Sequence, residues 1–448
     1  MASLVITSEL FGSMFGTTAM RTVFSDRRLV QYYLDVEAAL ARAEAGLGII
    51  PKEAAEAISA AADVANVDWD RLAAKTEIVG YPIVAVVEQL TEWCAGDHGQ
   101  YCHWGATTQD IMDTADVLQI RDALDLVAGD LRPIGDALAA LAERHKATPM
   151  AGRTHLQHAL PVTFGYKCAG WLSAIDRHIA RLDDLRDRVL VGEFSGAAGT
   201  LASLGEDGLA VQDAVMAELG LGRPTITWHT ARDLFAETTG FLALLTGSLG
   251  KIAYDVMLMM QSEIGEVFEP FVSGRGSSST MPQKRNPISS ELILAAAKIV
   301  RQHHGTMLDA LVQDHERATG PWHAEWHALP EAFVVSAGAL AQARSMLEGL
   351  EVDTDAMRRN LDATGGLIVA EAVMMGLAPV IGRGRAHDVV YECCRTSLET
   401  GTAFIDSLAD HPEIADRIDR ARLKSLVDPA NYLGAAPQMV DRLLRERG

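Results

Sequence analysis

Along this chain of 448 residues, apolar positions recur mostly at intervals of three and four, the spacing of one face of a helix. Residues 26–47 open the pattern, with Leu29, Tyr32, Tyr33, Val36, Leu40 and Ala43 on a common stripe. Gly46 and Gly48 end it, and Pro51-Lys52-Glu53 starts a second helix with proline near the first turn. Residues 83–93 read as a further short helix, after which Gly96 and Gly99 break the chain. Four long segments then dominate, at residues 113–146, 162–191, 232–267 and 288–312. In the second of them Leu172, Ile175, Ile179, Leu182, Leu185 and Val189 form the stripe, while Asp176, Arg177, Arg181, Asp183, Asp184 and Arg186 fill the opposite face. Helices of about 30 residues span roughly 45 Å, far beyond the usual globular length, so a bundle packed along its length is expected. Few segments alternate with period two. The expected fold is all-α: a long central bundle with smaller N- and C-terminal helical domains, bounded at residues 1–105, 106–351 and 352–448.

The segment at 233–267 is apolar around much of its circumference (Phe241, Leu242, Leu244, Leu245, Leu249, Ile252, Val256, Leu258, Met259). A helix of that kind needs neighbours on most sides. It is either the centre of one subunit or part of a bundle shared by several. The formal net charge of −21 argues against nucleic acid or an anionic membrane as the main partner. No stretch reaches about 18 uninterrupted apolar residues, so no membrane span is expected, and no signal peptide is evident. The five cysteines show no metal-binding spacing, and a reducing cytoplasm is the simplest setting.

Candidate chemistry gathers in three polar stretches. Gly276-Ser277-Ser278-Ser279-Thr280-Met281-Pro282-Gln283-Lys284-Arg285-Asn286-Pro287 sets hydroxyls, an ammonium and an amide ahead of a helix N-terminus, a combination suited to a carboxylate. Its serine run alone would equally describe a flexible linker. In His103-Trp104-Gly105-Ala106-Thr107-Thr108-Gln109-Asp110, the Thr107, Thr108 and Gln109 side chains are either anion donors or an ordinary helix cap with Asp110 in the first turn. Gly152-Arg153-Thr154-His155-Leu156-Gln157-His158-Ala159 places a histidine before a helix, more often a structural position than a catalytic one. Arg232, at the start of the apolar helix, is a second carboxylate contact or a structural ion-pair partner. Glu291, five positions after Asn286, is by itself a solvated helix residue. His323 and His327 are spaced as in a zinc site, but Glu325 stands third rather than second, so HExxH is not met and no metal is expected.

Taken together these stretches resemble the signatures of the fumarase/aspartase (fumarate lyase) superfamily, over nearly the whole chain. One departure is visible: Ser277 stands where the family loop GSSxxPxKxN has its glycine, and Gly276 lies one position earlier. The resemblance implies a homotetramer with a shared helical core, active sites shared between subunits, and no cofactor. It also implies Ser278 as the base, with Ser279 beside it and Met281, Lys284 and Asn286 in the same loop. Thr107, Thr108, Gln109 and Thr154 would hold a small dicarboxylate or tricarboxylate, with His103, His158 and Arg232 as further contacts. His155 would be the acid, its tautomer set by Glu291.

Within the superfamily, Thr364-Gly365-Gly366-Leu367-Ile368-Val369-Ala370-Glu371-Ala372 and Asp428-Pro429-Ala430-Asn431-Tyr432-Leu433-Gly434 look most like the 3-carboxy-cis,cis-muconate cycloisomerase branch. His315-Glu316-Arg317 resembles adenylosuccinate lyase, yet the residues after it lack that enzyme's phosphate donors, so a nucleotide substrate is not expected. Retention of His155 with Glu291 favours a lyase releasing fumarate from a substituted succinate. The cycloisomerase is the alternative, and an inactive helical oligomer a third.

Overall fold

The computed structural model describes residues 5–276, 280–281, 283–317 and 319–447. Among them helices dominate, and the named strands form two antiparallel pairs. The elements that position the site are α1 (Asp26–Gly46), α2 (Ile83–Trp93), α3 (Thr108–Arg144), β1 (Pro149–Thr154), β2 (Gln157–Thr163), α4 (Phe164–Val189), α5 (Asp233–Met260), β3 (Val267–Phe268), α6 (Ile288–Asp309), α7 (Gly320–Glu348) and β4 (Glu351–Val352). Shorter helices follow to Arg447. The all-α expectation therefore holds, with the long helices where the stripes put them.

Two compact units result, one within Met1–Leu131, His178–Gly250 and Leu292–Gln342, the other within Arg132–Arg177, Lys251–Glu291 and Ala343–Gly448. This differs from the expected boundaries at 105 and 351. The boundaries between units fall inside the long helices α3 to α7, so neither unit is a continuous stretch of chain.

In the first unit Tyr32, Tyr33 and Leu34 of α1 pack with Ile83, Val86 and Leu90 of α2, Ile111 and Leu118 of α3, and Trp322 of α7. Ser25 caps α1 by accepting from the Arg28 amide at 3.3 Å. On α5, Leu242, Leu245 and Leu249 are buried, whereas Leu244 and Tyr254 are 59% and 52% exposed. By length and composition α5 is apolar enough to cross a membrane, but half of its most apolar window is buried within the chain.

In the second unit the C-terminal helices close over Val373, Leu377, Val389, Phe404, Leu408 and Leu423. One local expectation fails here. Residues 149–163 form the β1–β2 hairpin, and the helix begins only at Phe164. The reason is a break in helical spacing: Pro149 and Pro161 bracket the segment, and Met150 and Ala151 point inward while Thr154 to Gln157 are exposed. Likewise α5 ends at Met260, and Val267 joins the short strand β3 against β4.

Candidate active site

The three polar stretches occupy two units. His103, Thr107, Thr108, Gln109 and Arg232 belong to the first, and Thr154, His155, His158, Met281, Lys284, Asn286 and Glu291 to the second. Ser278 and Ser279 lie outside the described residues.

In the first unit Thr107 precedes α3, and its amide donates to the Asp110 carboxylate at 2.9 Å, half of a capping box. Asp110 also accepts from the amides of Ser195 and Gly196 at 2.9 Å each and pairs with His229 Nε2 at 2.8 Å. One buried carboxylate thus ties the Thr107 segment to the small-residue segment at Ser195. Glu193 lies beside this cluster, bonded to the Ser195 hydroxyl and the Trp228 amide. Burial pushes its carboxyl up to about 7, against the pull of His229. Burial alone would lower the His229 pKa, but the hydrogen bond and charge of Asp110 raise it overall. The ligand atoms of Asp110, Glu193 and His229 fall within 4.8 Å of one another, and hydrogen bonds to the segments they join engage all three residues.

Gln109 departs from expectation. It is fully buried, and its amide donates to Asp113 at 3.0 Å and to the His229 carbonyl at 2.8 Å. The next residue into the helix faces inward, so Gln109 braces the loop and does not present a donor to substrate. Arg232 takes the second of its two readings, the structural ion pair. It is 2% exposed, and its guanidinium is held by Asp113 at 2.6 and 3.0 Å and by Glu325 at 3.0 and 3.1 Å. Trp322 Nε1 adds a bond to Asp113 at 3.2 Å. Glu325 is the glutamate of the His323/His327 stretch; its third-place position turns it into the core, away from those histidines. Burial raises its carboxyl to about 6 although Arg232 pulls the other way, and burial pushes the carboxyl of nearby Asp116 well above the usual range.

His103 stands just before this loop in left-handed backbone (φ 59°). Its Nδ1 lies 2.6 Å from Glu37 of α1, and its amide donates to the other Glu37 oxygen at 3.1 Å. Burial opposes the charged ring, but Glu37 and then Asp110 leave the His103 pKa raised.

In the second unit His155 is not before a helix but at the tip of the β1–β2 hairpin. Thr154 pairs with Gln157, leaving His155 and Leu156 as the two-residue turn, both left-handed (φ 51° and 63°). That is the turn type usually written Asn-Gly, and it costs strain when built from side-chain-bearing residues. Thr154 and His155 are exposed. Behind them Arg153 makes a bidentate pair with buried Glu266 at 2.9 and 2.7 Å, and Asn360 adds a bond to Glu266 at 2.9 Å. His158 faces inward, its Nδ1 enclosed without a partner among the described residues, and burial lowers its pKa.

The signature loop returns to its own start: the Asn286 amide donates to the Gly276 carbonyl at 3.3 Å. Gly276 has φ 67°, and a Cβ there would sit 2.7 Å from the Asn286 carbonyl oxygen. The loop therefore needs glycine at 276. Arg285 anchors the base, donating to Glu351 at 2.9 Å and to the Glu269 carbonyl at 2.6 Å. Glu269 in turn takes the Ser289 and Ser290 amides at 3.0 and 2.8 Å, fixing the start of α6. Lys284 and Met281 are exposed, and Glu291 is exposed in the first turn of α6. Among the described residues no hydrogen bond joins His155 to Glu291 within one chain.

The sequence reading missed Glu37, Asp113, Glu193 and Glu266, and met Glu325 only as the misplaced glutamate of the His323/His327 stretch.

A family model described as lyase matches residues 15–301, and one described as adenylosuccinate lyase C-terminus matches 366–443. Trans-aconitate decarboxylase 1 of Mycosarcoma maydis is 52% identical over 96% of this chain and 87% of its own length. A 3-carboxy-cis,cis-muconate cycloisomerase of Pseudomonas aeruginosa is 49% identical over 98% of this chain and 96% of its own. The crystal structure of a fumarate lyase from Mesorhizobium sp. BNC1 superimposes with a TM-score of 0.91 at 56% identity, covering 96% of this chain and 98% of that one.

Proposed function

The chain belongs to the fumarate lyase superfamily, and on that premise we propose that it is a lyase releasing fumarate from a substituted succinate by β-elimination. Ser278, as its alkoxide, takes the proton from the carbon beside a substrate carboxylate. The electrons move onto that carboxylate, giving a doubly charged aci-carboxylate, and then expel the β-substituent. Most of the barrier lies at the dianion, so donors already in place there contribute most. Thr107, Thr108 and Thr154 supply hydroxyls, and Lys284 and Asn286 an ammonium and an amide. His155 hands its proton to the leaving group, worth about 10²–10⁴-fold for a well-placed acid.

The observation that supports this reading best is the hairpin tip. An exposed histidine held in strained left-handed backbone, on a strand braced by the Arg153–Glu266 pair, is what a functional group on a rigid support looks like. Since His155 and Glu291 do not meet within one chain, we read their pair as one formed between subunits of a homotetramer. The exposed face of α5 fits such an assembly, as does a groove of about 650 Å³ lined by Leu185, Gly240, Phe241, Leu244 and Leu308.

Ultraviolet absorbance tests the chemistry directly. The protein is incubated with fumarate plus ammonia or amines, and separately with carboxymuconate. Consumption of fumarate that disappears in Ser278→Ala supports the lyase; undiminished turnover in that variant defeats the base assignment. A signal with carboxymuconate alone would instead establish the second reading, a cycloisomerase, which the 49% identity to such an enzyme favours. Mixing His155→Ala with Ser278→Ala subunits should restore activity if the sites are shared.

A further inference from the structure

Glu37 belongs to no motif, yet it holds a site residue. It is 1% exposed on α1, and both of its oxygens are spent on His103, one on the ring and one on the amide. The same contacts stabilise the left-handed backbone at His103. With Nδ1 facing a carboxylate, Nδ1 must be a donor. The far nitrogen, Nε2, then donates only when the ring carries both protons; in the neutral ring it is a lone pair that repels an anion. Nε2 makes no hydrogen bond among the described residues, and the His103 side chain is 22% exposed. It is therefore open to a ligand, four residues before Thr107.

We propose that Glu37 is a positioning residue for His103, and that the ion pair they form gives the Thr107 segment a charged donor for the third carboxylate of a tricarboxylate, in preference to a dicarboxylate. This rests on the proposed lyase site and narrows its substrate class. The charged or titratable groups facing His103 are few. Glu37 comes from α1, Asp110 from α3, and Cys102 precedes it in the chain, 4.0 Å from Cys94 at the end of α2. Glu44, two turns along α1 from Glu37, keeps its proton at neutral pH because burial raises its carboxyl to about 8, helped by Glu37. Glu37 and Asp110 both favour the charged ring, and Glu37 touches it directly. Two of the compared enzymes point the same way, since trans-aconitate and 3-carboxymuconate each carry three carboxylates.

The test is calorimetric titration of the full-length protein with tricarballylate and with succinate. The wild type should bind tricarballylate more tightly near pH 6.5, and the preference should fade as pH rises and His103 loses its proton. Glu37→Gln should cut tricarballylate affinity about tenfold, the worth of a charge-assisted bond, and leave succinate affinity unchanged. A merely structural role for Glu37 would weaken both ligands together, and that result overturns the proposal. So does a wild-type preference that ignores pH. His103→Gln, whose side chain is partly exposed, repeats the comparison if Glu37→Gln fails to fold, and must abolish the pH dependence of the tricarballylate preference. Succinate binding with no preference for tricarballylate overturns this inference alone, whereas binding of neither ligand overturns the lyase site and this inference with it.

Discussion

Glu44 is fully buried on α1, and both carboxyl oxygens are enclosed without a partner among the described residues. Burial raises its pKa from 4.5 to about 8. Unfolding restores the ordinary value, so between those two pH values the unfolded chain releases a proton that the folded chain keeps. The group's contribution is thus least unfavourable below about pH 4.5 and worsens as pH rises, levelling off above about 8. At pH 7 the unfolded carboxyl is about 2.5 units past its pKa while the folded one is still protonated. At about 1.4 kcal/mol per unit the cost is ~3 kcal/mol; at pH 5 it is under ~1 kcal/mol. Glu44→Gln keeps the shape of the protonated acid and has no charge to lose. For a chain of this size, ~1 kcal/mol corresponds to roughly 1 °C. The variant should therefore melt about 3 °C higher than wild type at pH 7 and within about 1 °C of it at pH 5, at matched protein concentration because any association makes Tm depend on it. Equal differences at both pH values, or a lower Tm at pH 7, would refute the account.

Glu266→Gln removes the charge opposite Arg153 and should destabilise by about 3–5 kcal/mol, the usual cost of breaking a buried pair. Turnover in the ultraviolet assay should fall with it, because the hairpin carrying His155 loses its brace; unchanged kcat would separate the hairpin from catalysis. Arg232→Met leaves Asp113 and Glu325 without their cation and should cost a similar ~3–5 kcal/mol in chemical denaturation. The folded variant should keep KM within about twofold of wild type, since a residue contributing no substrate contact leaves KM in place; a large rise in KM would return Arg232 to the substrate site. Leu156→Gly relieves left-handed backbone and should stabilise the hairpin by up to about 1 kcal/mol, seen as slower amide exchange in β1 and β2. Turnover should drop as His155 gains freedom, and a faster enzyme would contradict the positioning argument.

Helical stripes were readable because periodicity reports its own burial. Of the six apolar residues assigned to the α4 stripe, Leu172, Ile175, Leu182, Leu185 and Val189 are buried as the spacing requires. The motif residues were readable as types, but not always as orientations. Gln109 and Arg232 carry the right functional groups and point them into the core, which spacing along a helix start does not reveal. The hairpin escaped notice because its turn lacks the glycine or asparagine that marks such turns, with His155 and Leu156 in their place. Buried carboxylates escaped for a related reason. On paper Glu37, Asp113, Glu266 and Glu325 are indistinguishable from the solvated face of a helix or loop.

Four buried carboxylates nevertheless share one arrangement. Glu37 holds His103, Asp110 holds Thr107 and Ser195, Glu266 holds Arg153 beside His155, and Glu269 holds the first turn of α6, just past Asn286. Each is less than a tenth exposed and accepts at least two hydrogen bonds, Glu37 and Asp110 from loop residues, Glu269 from the first turn of α6 and Glu266 from the Arg153 guanidinium. Loops and element ends have backbone donors with no regular partner, and a buried ionised carboxylate is the strongest acceptor a chain can offer them. The cost of burying its charge is offset only while those donors stay in place, so each loop has one favoured position. Glu44 is the internal control, equally buried, its carboxyl without a partner among the described residues. If positioning is the reason for the other four, changing each to glutamine should lower turnover along with stability. The same change at Glu44 should raise stability and leave turnover alone.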